Sequence, residues 1–426
     1  MLRVATVFSG IGAFEYALRK LNIEHEIVFA CDNGERELKY SYKQLRELAK
    51  DLSEEQRLQY AKTLWQGNKL ESQGMSEEDF YTNLFFKKIQ KGRFELTKDS
   101  INILTTGMNT YAREQYVKAL YALLKTPNYV KLSYMANYIL DENNWHEDIR
   151  FLDGEQYAGQ VDILVGGSPC QSFSTYGKKL GLEDTRGTLF YEYARLIQQT
   201  QPRAFVYENV PNITRHDKGR TWEVMLAVWN SLGYRIHYKI LNAKDYGIPQ
   251  NRNRLFLVGI REDLTKDADY LFPLPQPLGD VTSHDFMESK VEPRYYLGQK
   301  GFEWVTTPAK NQNRTRANYA IQGCQTATQQ DNWTGDLRVE PAQQWHRNDP
   351  HIYVGMYKGV ESVARKMTPT ECLRMMGFDH FNQVVSNKVM YRQSGNSIVV
   401  NVLEAIIGSL YEVINFDEPY TLPTKS

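Results

Sequence analysis

The chain has 426 residues, with 51 lysines and arginines against 51 aspartates and glutamates and a formal net charge of zero. Apolar residues make up 42% and charged residues 24%, the balance of a packed soluble protein and not of a disordered one. No run approaches the roughly 18 apolar residues of a membrane span, the opening Met-Leu-Arg-Val-Ala-Thr-Val-Phe has no signal-like apolar core, and an even charge gives no whole-molecule field toward nucleic acid, so such a partner needs a local patch.

In chain order, Val4–Phe8 is a β-prone run, Ser9-Gly10-Ile11-Gly12 a tight turn, and Phe14, Ala17, Leu18 and Leu21 recur at helical spacing. Ile27–Cys31 is a second apolar run and ends in Asp32. Strand, glycine turn, helix and an acid about twenty residues on make the nucleotide-binding half-unit of a doubly wound sheet. Residues 41–145 break this rhythm. They are polar, aromatic and helix-prone, with helix starts at Ser53-Glu-Glu-Gln56 (a capping-box match) and Ser76-Glu-Glu-Asp79, and with Val117, Leu120, Tyr121 and Leu124 in one apolar stripe. They read as a helical insertion. Val161–Val165, Arg203–Tyr207 and Leu255–Ile260 are further strand runs, and Tyr234–Leu241 alternates, with Ile236, Tyr238 and Ile240 on one half-buried face. Phe272-Pro-Leu-Pro-Gln-Pro277 is a linker into a Gln-, Asn- and Thr-rich region, and Thr368–Met376 and Ile398–Leu410 are helices returning to the main sheet. The expected fold is α/β, a doubly wound Rossmann-like sheet formed by residues 1–40, 146–265 and 362–426, with the insertion at 41–145 and a separate small domain at 266–361.

The glycine turn is weak evidence by itself, because the dinucleotide fingerprint wants a third glycine where Glu15 stands. Asp32 suits a ribose diol and equally an ordinary strand-end acid. Gly166-Gly-Ser-Pro-Cys170-Gln-Ser-Phe-Ser174 says more: a cysteine in a polar loop just past a buried strand stands where α/β folds bind ligands, and the thiolate is a nucleophile. The bland alternative is a small core residue. Glu208 ends the next strand and should project into the same crevice, and Arg252 and Arg254, two apart, should share one strand face. A capped strand end and surface ion pairs are their alternatives. Together these groups can attack, protonate and clamp a planar heterocycle with amide-like edges. Cys31, Cys324 and Cys372 are scattered, without a CxxC pair, and read as packing or polar filler in a reducing cytoplasm. His346 and His351 have no neighbouring cysteine, and no metal site is expected.

Phe8-Ser-Gly-Ile-Gly12, Pro169-Cys170-Gln171, Arg186-Gly-Thr-Leu189-Phe190, Glu208-Asn209-Val210, Gln250-x-Arg252-x-Arg254, Thr368-Pro-x-Glu-Cys372-x-Arg-x-Met-Gly377-Phe and Gly395-Asn396-Ser397 resemble, in order, the motifs of the DNA cytosine C5-methyltransferase family. From Gly166 to Leu264 the chain is similar to the family's prokaryotic restriction-modification members. The resemblance implies that Cys170 attacks C6 of a cytosine, that Glu208 hydrogen-bonds and protonates N3, and that Arg252 and Arg254 bind the base oxygen and steady the carboxylate. It implies S-adenosylmethionine over Phe8 and the Gly10/Gly12 turn, with its ribose on Asp32. Asp148 and Ile149 would then lie at the adenine, and Leu189, Asn396 and Ser397 at the amino-acid end. The cytosine must be flipped from the duplex, and the polar stretch Gln171–Arg186 is a natural lid. Ala13 stands where the family usually has glycine, the insertion displaces the motif that holds Asp148, and Thr326-Ala327 stands near an expected Thr-Leu pair.

Residues 266–361 occupy the place of the target-recognition domain. Lys310-Asn-Gln-Asn-Arg314-Thr-Arg316 sets cations beside amides, the side chains that read guanine and adenine in the major groove. Arg314, Arg316 and Thr326, with Gln171 and Ser174 from the catalytic loop, are the candidate DNA contacts, and Trp333, Trp345 and Arg347 could add others. The insertion would be scaffold, with a clamp on flanking DNA or a partner surface as alternatives. The implied protein is a cytoplasmic monomer acting on double-stranded DNA, the modification half of a restriction system whose endonuclease acts separately. Competing readings are a transfer-RNA cytosine methyltransferase, whose Cys-Phe-Thr signature is missing here, an inert DNA-binding protein of this fold, and a nicotinamide oxidoreductase.

Overall fold

The computed structural model describes residues 1–87, 91–168, 189–264, 269–307, 315–330, 333–420 and 422. The chain opens with β1 (Leu2–Val7), a helix at Ala13–Lys20 and β2 (His25–Cys31). The inserted segment begins with β3 (Lys39–Ser41), paired antiparallel with β4 (Arg93–Glu95). The main unit resumes with β5 (Trp145–His146), β6 (Ile163–Gly166), β7 (Ala204–Asn209), β8 (Tyr234–Asn242) and β9 (Asn253–Arg261). Among the described residues the main sheet runs β5-β2-β1-β6-β7-β9-β8, parallel from β5 to β7, with β9 antiparallel to both its neighbours. The expected doubly wound sheet is present. Its winding reverses between β1 and β6, which opens a crevice at the carboxyl ends of those strands.

Period-two alternation sorts β1 between two cores. Leu2 and Val4 pack under the helices Ala13–Lys20 and Val400–Tyr411, while Ala5 and Val7 pack with Phe190, Tyr193 and Trp229 on the other face. The alternation in β8 turned out differently. Tyr238 and Ile240 are about half exposed on β8, the edge strand, where the Trp222 ring meets Tyr238 at 5.0 Å between centroids.

Helices at Tyr42–Leu48, Glu54–Gly67, Glu77–Phe85, Lys98–Leu104 and Thr110–Ala122 surround a core of their own that includes Tyr60, Leu64, Phe80 and Tyr121. Ser53 and Gln56 form the expected reciprocal cap. From Asn128 onward the segment joins the main core instead: Tyr134 and Tyr138 pack with Phe14 and Ala17. The small domain holds β10 (Thr315–Ala317), β11 (Gly335–Pro341), β12 (Gly355–Tyr357) and β13 (Val360–Arg365) in the order β10-β11-β13-β12. Its last strand runs past residue 361 to Arg365, whose fully buried guanidinium grips both oxygens of Glu371 at 2.8 Å and so fastens the domain to the helix Pro369–Arg374. No helix among the described residues is long and apolar enough to cross a membrane.

Glu15 shows what fills the place of the missing third glycine. Its carboxyl is buried beneath the turn, accepts from Thr6 (2.7 Å) and Tyr134, and has one oxygen without a partner among the described residues. Burial pushes its pKa above the ordinary carboxylate value. A folded-state pKa above the unfolded one means that stability is full at acid pH and is lost as pH rises through the folded value. Glu15→Gln keeps the hydrogen bonds without the ionisation. Its melting temperature should exceed that of the parent at pH 7–8 and converge with it near pH 4 in thermal melts across that range.

Candidate active site

The strand ends bring the sequence-derived residues to one edge. Leaving β1, Phe8 and Gly10 both adopt left-handed backbone (φ +53°), and among the described residues a side-chain carbon at Gly10 would meet nothing nearer than the Phe8 carbonyl at 4.0 Å, so they leave the space over this turn open. Gly12 is constrained differently. A Cβ there would lie 2.3 Å from the Tyr138 ring, whose hydroxyl donates to the Ile11 (3.1 Å) and Gly12 (2.6 Å) carbonyls. Packing by the inserted segment demands that glycine.

At the tip of β2, Asp32 accepts from the backbone N–H groups of Gly10 (3.0 Å) and Gly34 (2.7 Å), and burial raises its carboxyl pKa. Among the described residues each oxygen has one donor, which leaves acceptor capacity for further hydroxyls. Asp148, just past β5, is held by Arg150 Nε (2.9 Å) and Nη2 (2.6 Å) and by the Tyr121 hydroxyl (3.0 Å). Ile149 is buried beside it, and its carbonyl accepts from Arg195. Leu189 begins the helix Leu189–Thr200 and packs against the second core. Asn396 reaches across to Glu35 (2.8 Å), while Ser397 is buried with its carbonyl on Arg252. Burial and the carboxylates of Asp148 and Asp32 push the Cys31 thiol well up, so Cys31 is an unreactive packing residue.

Glu208 lies further along the same edge. Gly167 lets β6 approach β7 closely: a Cβ there would sit 2.5 Å from the Glu208 carbonyl. Asn209 Nδ2 donates to the Ser168 carbonyl (3.0 Å), and the Ser168 and Tyr207 hydroxyls are 2.7 Å apart. These bonds bring the chain, two residues before Cys170, to the base of Glu208. Cys170, Gln171 and Ser174, with the stretch to Arg186, lie outside the described residues, as does Arg314.

β9 runs against β7 with Glu208 opposite Phe256, so the start of β9 meets the tip of β7. Arg254 Nε therefore pairs with Glu208 Oε1 at 3.0 Å. Burial raises the Glu208 pKa, with Arg254 and then Arg252 opposing it. Arg252 acts on Glu208 at longer range, and its own hydrogen bonds go elsewhere. Its buried guanidinium donates to the carbonyls of Gln325 (2.7 Å), Gly395 (3.0 Å) and Ser397 (2.7 Å), and burial next to Arg254 lowers its pKa to about 10. Cys324, read from sequence as filler, is exposed and touches both arginines, Sγ lying 3.4 Å from Arg252 Nη1 and 3.7 Å from Arg254 Nη2. Gln250 accepts from the Gln325 N–H and donates to the Met375 carbonyl. Segment 322–326 is thus stitched to the main sheet, and Gly395 is a glycine because a Cβ there would fall 2.1 Å from the Thr326 carbonyl. Thr326 itself is exposed. Arg316 pairs with Asp336 at 2.9 Å and lies over Tyr319, so its cation is partly committed. Trp333 and Trp345 pack in the small domain, and Arg347 pairs with Glu361.

Residues 100–412 match the family model of the C-5 cytosine-specific DNA methylases. The chain belongs to that family. The match starts after the glycine turn and Asp32, which the fold, and not the family model, sets beside the remaining motifs. Among curated relatives, the type II methyltransferase M1.ScrFI of Lactococcus lactis subsp. cremoris is 36% identical over 272 residues, 63% of this chain and 67% of that protein. M.NlaX of Neisseria lactamica is 37% identical over 250 residues, covering 58% and 74%, and M.HhaI of Haemophilus parahaemolyticus 33% over 260, covering 61% and 78%. The Dnmt2 methyltransferase of S. pombe shares the fold, with a TM-score of 0.55 at 18% identity over 97% of this chain and 99% of that one. Membership does not favour the transfer-RNA or nicotinamide readings.

Arg252→Met removes three carbonyl hydrogen bonds and the Cys324 contact from a buried cation. Charge-assisted bonds are strong, but losing the cation also removes its desolvation cost, so a net loss of about 2 kcal/mol is expected in urea unfolding. Early proteolytic cleavage near residues 322–330 should accompany it.

Proposed function

We propose that this DNA cytosine C5-methyltransferase takes its methyl group from S-adenosylmethionine and acts on a cytosine flipped out of a short duplex sequence, as the modification half of a restriction-modification system. The chain would act as a monomer in the cytoplasm. The observation that carries the reading is the Glu208–Arg254 pair at the strand end beside Ser168, two residues before Cys170.

The residues at the β1, β2 and β5 ends fit the cofactor. Open space lies over Gly10, Asp32 keeps acceptor capacity for a ribose diol, Asp148 offers a carboxylate to an amine, and Phe8, Ile149 and Leu189 supply apolar contact. Asn396 and Ser397 would border the amino-acid end. When bound, S-adenosylmethionine supplies an electrophilic methyl carbon; everything else falls to the chain. The Cys170 thiolate adds to C6 of the flipped base. Glu208 protonates N3 as the adduct forms, which leaves C5 nucleophilic, and a carboxyl pKa raised by burial suits a donor near neutral pH. After methylation, loss of the C5 proton and β-elimination release Cys170. Arg254 orients Glu208, while Arg252 fixes the loop that carries Cys324 and Thr326 against the catalytic edge. Thr326, Arg314 and Arg316, with Gln171 and Ser174, would face the DNA, and Arg316 would have to exchange Asp336 for it.

Transfer of a labelled methyl group to unmethylated duplex DNA, followed by base-resolution sequencing, tests this reading. Label on cytosine C5 at one short recurring sequence, abolished in Cys170→Ala, is the expected result; a folded, cofactor-binding protein that labels no DNA would overturn it. A second measurement addresses Glu208. Arg254 holds the Glu208 pKa down, so Arg254→Met should raise it. The alkaline fall in kcat/KM caused by deprotonation of that donor should then move to higher pH, on a rate reduced at least about tenfold.

A further inference from the structure

The segment between β2 and β5 has no part in the reaction described above, yet its side chains hold the two acids assigned to the adenosine. Asn128 caps the helix Tyr129–Met135 by accepting from the Lys131 N–H (3.0 Å), and its Nδ2 donates to the Asp32 carbonyl (2.8 Å) and to Glu147 (2.9 Å). Its amide also fills the space beside Gly34, where a Cβ would lie 2.4 Å from Asn128 Oδ1. Gly34 is the residue whose N–H grips the Asp32 carboxylate. One turn of the inserted chain thus fixes the loop that orients Asp32. Tyr121, 1% exposed, gives its hydroxyl to Asp148 Oδ2. Arg36 completes the wall: it lies over the Tyr121 ring at 4.9 Å, donates to the Tyr121 carbonyl and pairs with Glu147.

We propose that Tyr121 and Asn128 are positioning residues for S-adenosylmethionine, and that the inserted segment is the outer wall of the adenosine end of its site, acting through Asp148 and Asp32. This rests on the cofactor placement given under the proposed function. Both residues act through hydrogen bonds to the cofactor acids or their loop, so their loss should weaken the cofactor selectively and leave DNA affinity alone.

The test is binding of S-adenosylhomocysteine to the full chain by calorimetry, with duplex DNA affinity and melting temperature measured in parallel. The variants are Tyr121→Phe, which keeps the ring, and Asn128→Ser, which keeps a helix cap but lacks the reach to Asp32; Asp32→Ala is the control. Loss of one hydrogen bond to a carboxylate or its loop should weaken binding about tenfold, with DNA affinity unchanged and similar melting temperatures. Weak binding by Asp32→Ala alone, with both insertion variants at parental affinity, overturns this inference and spares the cofactor placement. Parental affinity in Asp32→Ala overturns the placement itself. Parallel loss of cofactor binding, DNA binding and melting temperature in the insertion variants would make the segment plain scaffold, which also overturns the inference.

Discussion

The direction of β9 governs the chemistry of this protein. Arg254 meets Glu208 because β9 is reversed against β7. In an all-parallel sheet the residues before a strand lie on the opposite edge from the residues that end its neighbour. Reversal carries the arginines at the start of β9 to the edge where β1, β2, β5, β6 and β7 terminate. A carboxyl held there by burial and one guanidinium keeps a raised pKa while remaining oriented.

The same reversal explains why two arginines of one motif do different work. Arg254 is in the strand and faces Glu208, whereas Arg252 precedes it and turns into the seam between the main sheet, segment 322–326 and the helix end at Asn396. A buried cation whose described partners are a thiol and backbone carbonyls is a poor way to gain stability, because its desolvation offsets much of the hydrogen bonding. It is a good way to fix register. Three carbonyls from two separate stretches of chain converge on one rigid planar fork, so the loop bearing Cys324 and Thr326 takes one position relative to Glu208.

Local rules made much of this legible. The β-prone runs, the glycine turn and the strand-end positions of Asp32 and Glu208 follow from periodicity and turn chemistry over stretches of about ten residues, and the order of motifs then pointed to the family. What escaped depends on partners distant in sequence. Nothing near Gly12 signals the Tyr138 ring packed on it from 126 residues away, nor does the stripe containing Tyr121 reveal a hydroxyl directed at Asp148. Cys324 read as filler because its arginine neighbours lie 70 and 72 residues upstream. The apolar face of β8 misled for a related reason: alternation records which residues share a face, and not whether another layer covers it.

These distant contacts also bear on why a helical segment of this size can interrupt a catalytic sheet. Loop-closure entropy grows only slowly with length, so an insertion between β2 and β5 costs little as long as its ends stay together. Here the ends are adjacent by construction, since β2 and β5 are paired and Cys31 lies opposite His146. The first part of the insertion folds on its own core, and the part from Asn128 onward is drawn into the main one through Tyr134 and Tyr138. Once those rings pack against the glycine turn, the turn can no longer relax independently of the insertion, and Gly12 cannot be replaced. The segment has become part of the frame of the strand edge.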